Sequence, residues 1–372
     1  MATFGNIQLS NNNFYVEDIF IAKYDPNGNI IWVRKAGGSS YDEGNDIATD
    51  GAGNSYVTGP FRGTATFGNT QISSGGSSDI FIAKYDANGN LLWVRKAGGT
   101  GEDSGNDITI DNSGNCYMTG TFRSTATFGT TQIISSGAED IFTAKYDANG
   151  NLLWVRKAGG TSNDFSNDIS ADNSENCYVT GTFKNTATFG TTQIISSGAE
   201  DIFTAKYDAN GNLVWVNKTG ATYSDFGYGI SVDNSGNCYT TGSFGGTVSF
   251  GSIVLENGNG FITKISAVTG IEELSGEIPT QFSLAQNYPN PFNPSTMIRF
   301  ALPKDAHVEI ELYSIHGELM KKLVSEEKQA GNYEISLEIP SFASGIYFYR
   351  IVASPGDKSE PFVQTRKFIL MK

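Results

Sequence analysis

Residues 140–160 read DIFTAKYDANGNLLWVRKAGG, which is two short apolar runs separated by Asn149-Gly150. Both runs are too short for helices, and glycine punctuates the chain on either side. Asn-Gly between apolar runs is the strongest local signal for a β-hairpin, because a type I′ turn needs positive φ at both central residues. Asp140–Tyr146 and Leu152–Lys157 are therefore predicted to form two antiparallel strands.

The same block begins at Asp18, Asp79, Asp140 and Asp201, each copy starting 61 residues after the one before. Between the hairpins, 106–111 and 116–120 predict a first and a second strand around a turn, and a longer connection carries the motif ATFG. Four antiparallel strands per repeat, in tandem, are the blade of a β-propeller. We predict an all-β chain in which residues 1–266 form about four blades of 61 residues.

The repeated block resembles the seven-bladed β-propeller (SBBP) repeat family over about residues 1–266. The chain opens with only a third and a fourth strand and closes with a first, second and third. No signal peptide precedes residue 1. We expect the tail of a longer, truncated array. The alternative is a compact four- or five-bladed assembly, closed by pairing Ile230–Thr241 with the opening half-blade.

A different pattern follows a predicted linker at 267–281. Residues 282–372 contain six segments that alternate apolar and polar residues, as half-buried strands do. The segments are Met297–Leu302, His307–Tyr313, Glu318–Val324, Tyr333–Ile339, Gly345–Val352 and Phe362–Met371. About 90 residues of this kind predict an immunoglobulin-like β-sandwich.

Four ordered motifs in this second domain carry a resemblance of their own: NYPNPFNPST at 287–296, LYSIHG at 312–317, GIYFYR at 345–350 and RKFILMK at 366–372. Together they resemble the type A C-terminal sorting domain of the type IX secretion system, found in Bacteroidota and related phyla. The resemblance implies passage through the outer membrane, with the type IX machinery as partner of 282–372, to the cell surface or the medium. The residues it marks as a sorting motif are Asn287, Tyr288, Pro289, Asn290, Pro291, Phe292, Asn293, Pro294, Gly345, Tyr347 and Lys367.

The three prolines of the opening motif fix φ and withhold backbone donors. They predict a stiff, extended opening strand. We expect Tyr288 and Phe292 to anchor it on the sandwich.

Composition and charge exclude several classes of protein. The net charge is −14, and residues 279–372 contain 10 basic and 10 acidic residues, so the excess belongs to the repeats and linker. An acidic surface repels phosphate, so nucleic acid is not an expected partner. No apolar run is long enough for a transmembrane helix.

Few residues offer catalytic chemistry. The two histidines, His307 and His316, lie in the second domain, so the repeats have none for a Ser-His-Asp triad or an ordinary zinc site. No cofactor or metal is predicted. The remaining repeated residues are expected to be structural: small buried cysteines at 116, 177 and 238, turn aspartates at 25, 86, 147 and 208, and tryptophans at 32, 93, 154 and 215 that pack between blades.

One acidic set is the candidate ligand site of the repeats. Its members precede each predicted first strand, at Asp42, Asp103, Asp164 and Asp225, and are joined by Asp46, Asp107 and Asp168. Because first strands line a propeller channel, we expect a solvated acidic rim, with cation or ligand binding as the alternative.

Near-identical repeats suit multivalent contact better than one asymmetric active site. We therefore expect a non-catalytic binding or adhesion module for an extracellular glycan or protein. The first alternative is a structural surface-layer or filament repeat that self-associates. The second is a propeller-hosted polysaccharide lyase or glycosidase, for which the fourth repeat, with Asn217, Tyr223 and Tyr228, departs most from the pattern.

Overall fold

The protein is described by a computed structural model over residues 2–10, 16–233, 236–250, 253–256, 258–265, 272–274, 278–292, 295–339, 342–357 and 359–371. In these ranges the chain forms strands and no helix, which confirms the all-β prediction. The chain divides into two compact units, Met1–Lys264 and Ile265–Lys372.

The repeat unit contains 23 strands among the described residues. The opening strands are β1 (Ala2–Phe4), β2 (Ile7–Leu9), β3 (Ile19–Tyr24) and β4 (Ile30–Gly38). The first complete repeat has β5 (Asp46–Thr49), β6 (Ser55–Phe61), β7 (Thr64–Phe67), β8 (Thr70–Ser73), β9 (Asp79–Tyr85) and β10 (Leu91–Gly99). The second has β11 (Ser104–Ile110), β12 (Cys116–Phe128), β13 (Thr131–Tyr146) and β14 (Leu152–Gly160). The third has β15 (Phe165–Ala171), β16 (Cys177–Phe189), β17 (Thr192–Tyr207) and β18 (Leu213–Thr219). The last has β19 (Phe226–Val232), β20 (Cys238–Ser243), β21 (Thr247–Phe250), β22 (Ile253–Glu256) and β23 (Phe261–Ile265).

Within a repeat the strands pair antiparallel in chain order. In the second complete repeat Ile108 lies opposite Met118, Met118 opposite Ala144, and Ala144 opposite Val155. All four side chains are buried in one hydrophobic cluster. The strands predicted from periodicity therefore lie where expected, with their apolar faces in a common core.

The longer connection that carries ATFG contains a strand that joins neighbouring repeats. Residues 126–128 pair with 97–99 at the end of the preceding fourth strand, and 187–189 pair with 158–160 in the same way. The approach requires glycine, because a Cβ on Gly99 would lie 1.8 Å from the Thr125 carbonyl oxygen. One continuous sheet therefore runs from β5 to β18.

The last repeat does not use the pairing proposed for ring closure. β19 pairs with β20, and β20 with β23, so Phe261–Ile265 takes the third-strand position. Among the described residues no pairing joins β19 or β20 to the opening hairpin β3–β4. The pairing of Ile230–Thr241 with that hairpin, which belonged to the alternative of a closed ring, is therefore not formed among the described residues.

The second unit consists of two four-stranded antiparallel sheets, with orders β24-β29-β26-β25 and β28-β27-β30-β31. The strands are β24 (Glu272–Leu274), β25 (Ser283–Leu284), β26 (Ser295–Leu302), β27 (Ala306–Tyr313), β28 (Leu319–Lys328), β29 (Gly331–Glu338), β30 (Gly345–Pro355) and β31 (Phe362–Leu370). Ile298 and Ile335 from one sheet and Ile310 and Ile351 from the other are fully buried in one cluster. The two sheets thus share a single core.

Candidate functional site

The four aspartates expected on an acidic rim, at positions 42, 103, 164 and 225, are fully buried. Each carboxylate accepts two backbone N–H bonds. Asp103 accepts from Gly99 at 2.8 Å and from Arg123 at 3.0 Å, and the other three repeat this pattern. The set therefore ties the end of a fourth strand to the end of a second strand, and the expectation that it is exposed to solvent is wrong.

Burial has a measurable consequence for these carboxyl groups. It raises the pKa of Asp42, Asp103 and Asp164 to about 6 in each case, against the lowering effect of the two N–H donors. A second buried aspartate lies beside each of them. Asp79, for example, places Oδ1 and its partner Asp103 places Oδ2 at 2.9 Å from the point where a Gly98 Cβ would be. The two carboxylates converge on the glycine and leave no room for a side chain there.

The companion aspartates of the first strands form a ladder. Asp46 accepts from the Ile108 N–H at 3.1 Å, Asp107 from Ile169 at 2.7 Å, and Asp168 from Ile230 at 2.6 Å. Asp107 lies between the other two and hydrogen-bonds both; burial and these two partners raise its pKa to about 10. Asp107 is therefore protonated at neutral pH.

The tryptophans pack under the turn of the next repeat. Trp93 Nε1 donates to the Ala148 carbonyl at 3.2 Å, and Arg95 covers the ring at 5.5 Å while its Nε donates to Gly150 at 3.0 Å. Trp32 and Trp154 repeat the arrangement. These ring faces are thus occupied by protein and are not a platform for sugars.

The other repeated residues are also structural. The three cysteines are fully buried and unpaired. In the turns, Asp86 Oδ1 accepts the N–H groups of Asn88 and Asn90 at 2.9 and 2.8 Å, and the bonds from Asn90 lower the pKa of Asp86. Asp86 caps a hairpin turn, which is the role expected from its sequence.

The opening motif of the second unit bends between the two sheets. Tyr288 pairs with Met297 on β26, and Phe292 pairs with Leu370 on β31; the Tyr288-Pro289 and Asn290-Pro291 peptide bonds are cis. The expected extended strand is therefore not formed. Asn293 and Pro294 lie outside the described residues.

The motif residues divide into buried and exposed groups. Asn287 is buried, and its Nδ2 donates to Thr296 Oγ1 at 2.9 Å and to the Pro289 carbonyl at 3.1 Å. Phe292 is buried against Phe368. Tyr288, expected to be an anchor, is instead 81% exposed.

The remaining motif residues lie on β30 and β31. Gly345 opens β30 opposite Leu370, and the Tyr347 ring stacks on Phe368 at 5.4 Å. The side chain of Lys367 is exposed, while its carbonyl accepts a bond from Gln286 at 2.7 Å and from Asn290 at 3.4 Å.

A groove of about 400 Å³ lies between the first two complete repeats. It is lined by Tyr41, Glu43, Pro60, Arg62, Ser77, Ser78, Glu102, Ser104, Thr121 and Glu139. The Tyr41 ring is 51% exposed, and Glu43, Arg62 and Glu102 are exposed as well. We call this feature the Tyr41 groove.

The buried aspartates hold the walls of the Tyr41 groove. The Asp42 carboxylate binds the Arg62 and Gly38 N–H groups, and the neighbouring Glu43 N–H donates to the Pro60 carbonyl at 3.0 Å. Across the groove, Asp103 N–H donates to the Ser78 carbonyl at 3.0 Å. Asp42 and Asp103 are therefore positioning residues for the groove, not exposed ligands.

Arg62 differs from its counterparts in later repeats. Arg123 pairs with Glu139 at 3.4 Å, and Lys184 with Glu200 at 3.0 Å. At the position of those glutamates the first repeat has Ser78. Within the described part of the chain, the Arg62 side chain has no ion-pair or hydrogen-bond partner.

Sequence reasoning missed this groove because it sought what the repeats share. The available signal was the departures of the first repeat: Tyr41 where later repeats have Glu102, Asn163 and Ser224, Pro60 where they have threonine or serine, and Ser78 where they have glutamate. The fourth repeat, which seemed the most divergent, contributes none of its lining residues.

Comparison with known families identifies both parts of the chain. A family model of the secretion system C-terminal sorting domain matches residues 286–368, and one of the β-propeller repeat matches 31–59 and 92–121. The chain thus carries SBBP β-propeller repeats and a type IX sorting domain, and that domain directs its export to the cell surface or extracellular space.

Curated relatives match only parts of the chain. An uncharacterized WD repeat-containing protein of Acanthamoeba polyphaga mimivirus is 26% identical over 55% of this chain and 18% of its own length. The regulatory protein FlaEY of Caulobacter vibrioides is 26% identical over 42% of this chain and 17% of its own length. The chain therefore spans less than a fifth of either relative.

Two solved structures align weakly. A tetra-tandem repeat from the extending region of a large adhesion protein is 14% identical, covers 88% of this chain and 98% of its own, and has a TM-score of 0.20. Dimeric latent PorU of Porphyromonas gingivalis is 12% identical, covers 88% of this chain and 32% of its own, and has a TM-score of 0.21. TM-scores this low do not establish a shared fold with either structure. Separately, no helix able to cross a membrane occurs in the described ranges.

Proposed function

We propose that the chain is a non-catalytic binding or adhesion module, displayed outside the cell, that takes its ligand in the Tyr41 groove. The observation that carries the proposal is the unpaired Arg62 beside the exposed Tyr41 ring and the exposed carboxylates of Glu43 and Glu102. Unpaired charged groups in a concave surface are available to a ligand, whereas the equivalent cations of later repeats are already paired.

The experiment measures binding of the full chain to arrays of extracellular glycans and of matrix and cell-surface proteins. The matched variant is Ser78→Glu, which supplies the glutamate that later repeats use to pair their cation. We expect wild type to bind a ligand and Ser78→Glu to weaken binding at least tenfold, with an unchanged unfolding transition. No binding in either array, together with turnover of a defined substrate, would overturn the proposal.

A structural role is the second candidate function, and exposed aromatic residues favour it. Phe20 and Tyr24 are 57% and 52% exposed, while their counterparts Phe81 and Tyr85 are at most 2% exposed. Apolar surface of this kind favours association between copies. Sedimentation at rising concentration should then show assemblies that Phe20→Ser reduces; a sharp monomer at every concentration argues against it.

We also propose that the chain is not a polysaccharide lyase or glycosidase. That alternative placed an acid in the fourth repeat, where Asp225 is buried and accepts backbone N–H bonds from Ala221 and Gly245 at 2.8 and 2.9 Å. A carboxylate in this position has no access to a polysaccharide. Release of reducing ends from a polysaccharide that is lost in Asp225→Asn would contradict the proposal.

For the folds, we propose that the repeats are propeller blades and that the second unit is an immunoglobulin-like sandwich. Antiparallel four-strand repeats support the first, and two antiparallel sheets over one core support the second. An experimental structure of the full chain would test both.

A further inference from the structure

The Tyr41 groove has a mixed set of polar groups, and this mixture restricts its ligand. Arg62 offers only donors, while the carboxylates of Glu43 and Glu102 offer only acceptors at neutral pH. Ser77 adds a hydroxyl group that does both, whereas the Ser104 hydroxyl already donates to Asn106 at 3.0 Å. A ligand that satisfies this surface must both donate and accept hydrogen bonds at closely spaced positions.

The charges of the groove disfavour strongly charged ligands, because side chains of both signs line it. Glu139 is compensated by Arg123 at 3.4 Å, which leaves Arg62 against Glu43 and Glu102. A polyanion would meet these carboxylates and a chain of net charge −14. A polycation would be attracted by the two carboxylates but would leave the positively charged Arg62 guanidinium facing it.

The apolar surface of the groove comes from Tyr41, which is 51% exposed, and from the partly exposed Pro60. The face of an aromatic ring is electron-rich, so it attracts the C–H groups on one face of a pyranose. The volume, about 400 Å³, falls in the range of small-molecule binding sites. Tyr41, Glu43, Arg62 and Glu102 are exposed, so a longer polymer can extend beyond the groove past these side chains.

This combination occurs once in the described repeats. At the counterparts of Tyr41 the later repeats have Glu102, Asn163 and Ser224, none of them aromatic. Their cations, Arg123 and Lys184, are paired. The sequence led us to expect one binding site in every repeat. Because the later repeats lack the aromatic ring and the unpaired cation, the contacts between repeats do not support that expectation.

We propose that the Tyr41 groove binds a neutral, polyhydroxylated glycan at one site per chain. Tyr41 stacks on a sugar ring, and Arg62 and Glu102 hydrogen-bond its hydroxyl groups. This inference rests on the proposed function and specifies its ligand class and stoichiometry.

The test is isothermal titration of the full chain with soluble mannan oligosaccharides, xylan, β-glucan and galactan oligosaccharides, with alginate and heparin oligosaccharides as anionic comparators. We expect a neutral oligosaccharide to bind with a stoichiometry of one. Tyr41→Ala, Arg62→Ala and Ser78→Glu should each weaken binding at least tenfold. Glu200→Ser is the matched control: it removes the partner of Lys184 in the third complete repeat, away from the groove, and should leave affinity unchanged.

Each other outcome overturns the inference. Binding that survives Tyr41→Ala and Ser78→Glu places the ligand elsewhere, and a stoichiometry of three restores a repeated site. Binding of the anionic oligosaccharides alone, or of none of the six up to millimolar concentration, contradicts the ligand class. If the protein array instead yields a ligand that Ser78→Glu abolishes, the proposed binding function stands and the glycan inference fails.

Discussion

Burial and two neighbouring carboxyl groups raise the pKa of Asp107 well above its usual range. Asp107 is half-buried and lies between the carboxyl groups of Asp46 and Asp168. Because burial and the neighbouring carboxyl groups both disfavour its anion, the pKa of Asp107 in the folded chain lies well above the ordinary value of 3.8 that it has in the unfolded chain. Between those values the folded state binds more protons, so raising the pH reduces stability.

Asp107→Asn should therefore stabilise the repeats at pH 8. The amide can still accept from the Ile169 N–H and donate to a neighbouring carboxylate, and it has no proton to lose. We expect a gain of about 1–3 kcal/mol at pH 8 that shrinks towards pH 4. Urea unfolding of both proteins at pH 5, 6.5 and 8 measures it. An equal or lower stability of the variant at pH 8 would contradict a protonated Asp107.

The cysteines allow a second prediction at this scale. Burial raises the pKa of Cys116 and Cys238 to about 12 in each case, so neither forms a thiolate at ordinary pH. Folded protein at pH 8 should react with a thiol reagent at least a hundredfold more slowly than protein in urea. The reaction is followed by absorbance, with free cysteine as reference. Rapid labelling of one thiol in the folded state would show that its strand opens locally.

At the scale of elements, the turn of each hairpin is also a part of the interface with the preceding repeat. Gly150 has φ of 77° and its Cβ would lie 2.9 Å from the Trp93 ring. Gly28 has φ of 82° in the same turn of the first hairpin, yet nothing lies within 4 Å of its Cβ position. Substituting Gly28 therefore tests the backbone conformation alone, whereas substituting Gly150 tests the backbone conformation and the contact with Trp93 together.

Gly28→Ala should destabilise by about 1–2 kcal/mol, because an L-residue is disfavoured at positive φ. Gly150→Ala should cost an additional 1–3 kcal/mol or so, because the methyl group displaces the turn from Trp93. Chemical unfolding followed by tryptophan fluorescence gives both values. An equal loss in the free energy of unfolding for the two substitutions would mean that the Gly150 turn does not pack tightly against Trp93.

Strands whose signals are local in sequence were predicted, whereas features that depend on residues far away in the chain were not. The hairpins were predictable because Asn149-Gly150 and the adjacent alternation are local signals. The strand at 126–128 was not, because three residues give no periodicity and their partner lies in the preceding repeat. The buried position of Asp103 also depends on an N–H donor 20 residues away in sequence, Arg123, so an acidic residue in a loop appeared exposed.

In the sorting domain, two adjacent motif residues should have separable roles. Asn287→Ala removes a buried amide bonded to Thr296 and Pro289 and should destabilise the second unit by about 1–3 kcal/mol. Tyr288→Ala removes a side chain that is 81% exposed, so it should leave stability unchanged while reducing surface display. Thermal unfolding and surface labelling of cells measure the two effects. Normal display of Tyr288→Ala would exclude this ring from recognition by the secretion machinery.

At the scale of the whole molecule, the proposed binding groove and the sorting domain belong to different units. The hydrophobic cluster of the second unit draws only on residues between Leu284 and Leu370, and the clusters of the repeats only on residues between Ile19 and Phe261. Each unit therefore has its own core, which is the physical condition for a domain that folds by itself. The charge follows the same division, since 279–372 are neutral and the repeats are acidic.

Deletion of 282–372 should consequently leave the repeats folded and able to bind, yet retained in the periplasm. The unfolding transition of the repeats should shift little, because the deleted residues contribute nothing to their hydrophobic clusters. Cell fractionation and protease shaving of intact cells measure location, and titration with the ligand of the Tyr41 groove measures function. The full chain expressed in a strain without the type IX machinery is the matched control and should be retained equally. Surface display of the deleted chain would show that the repeats contain an export signal of their own.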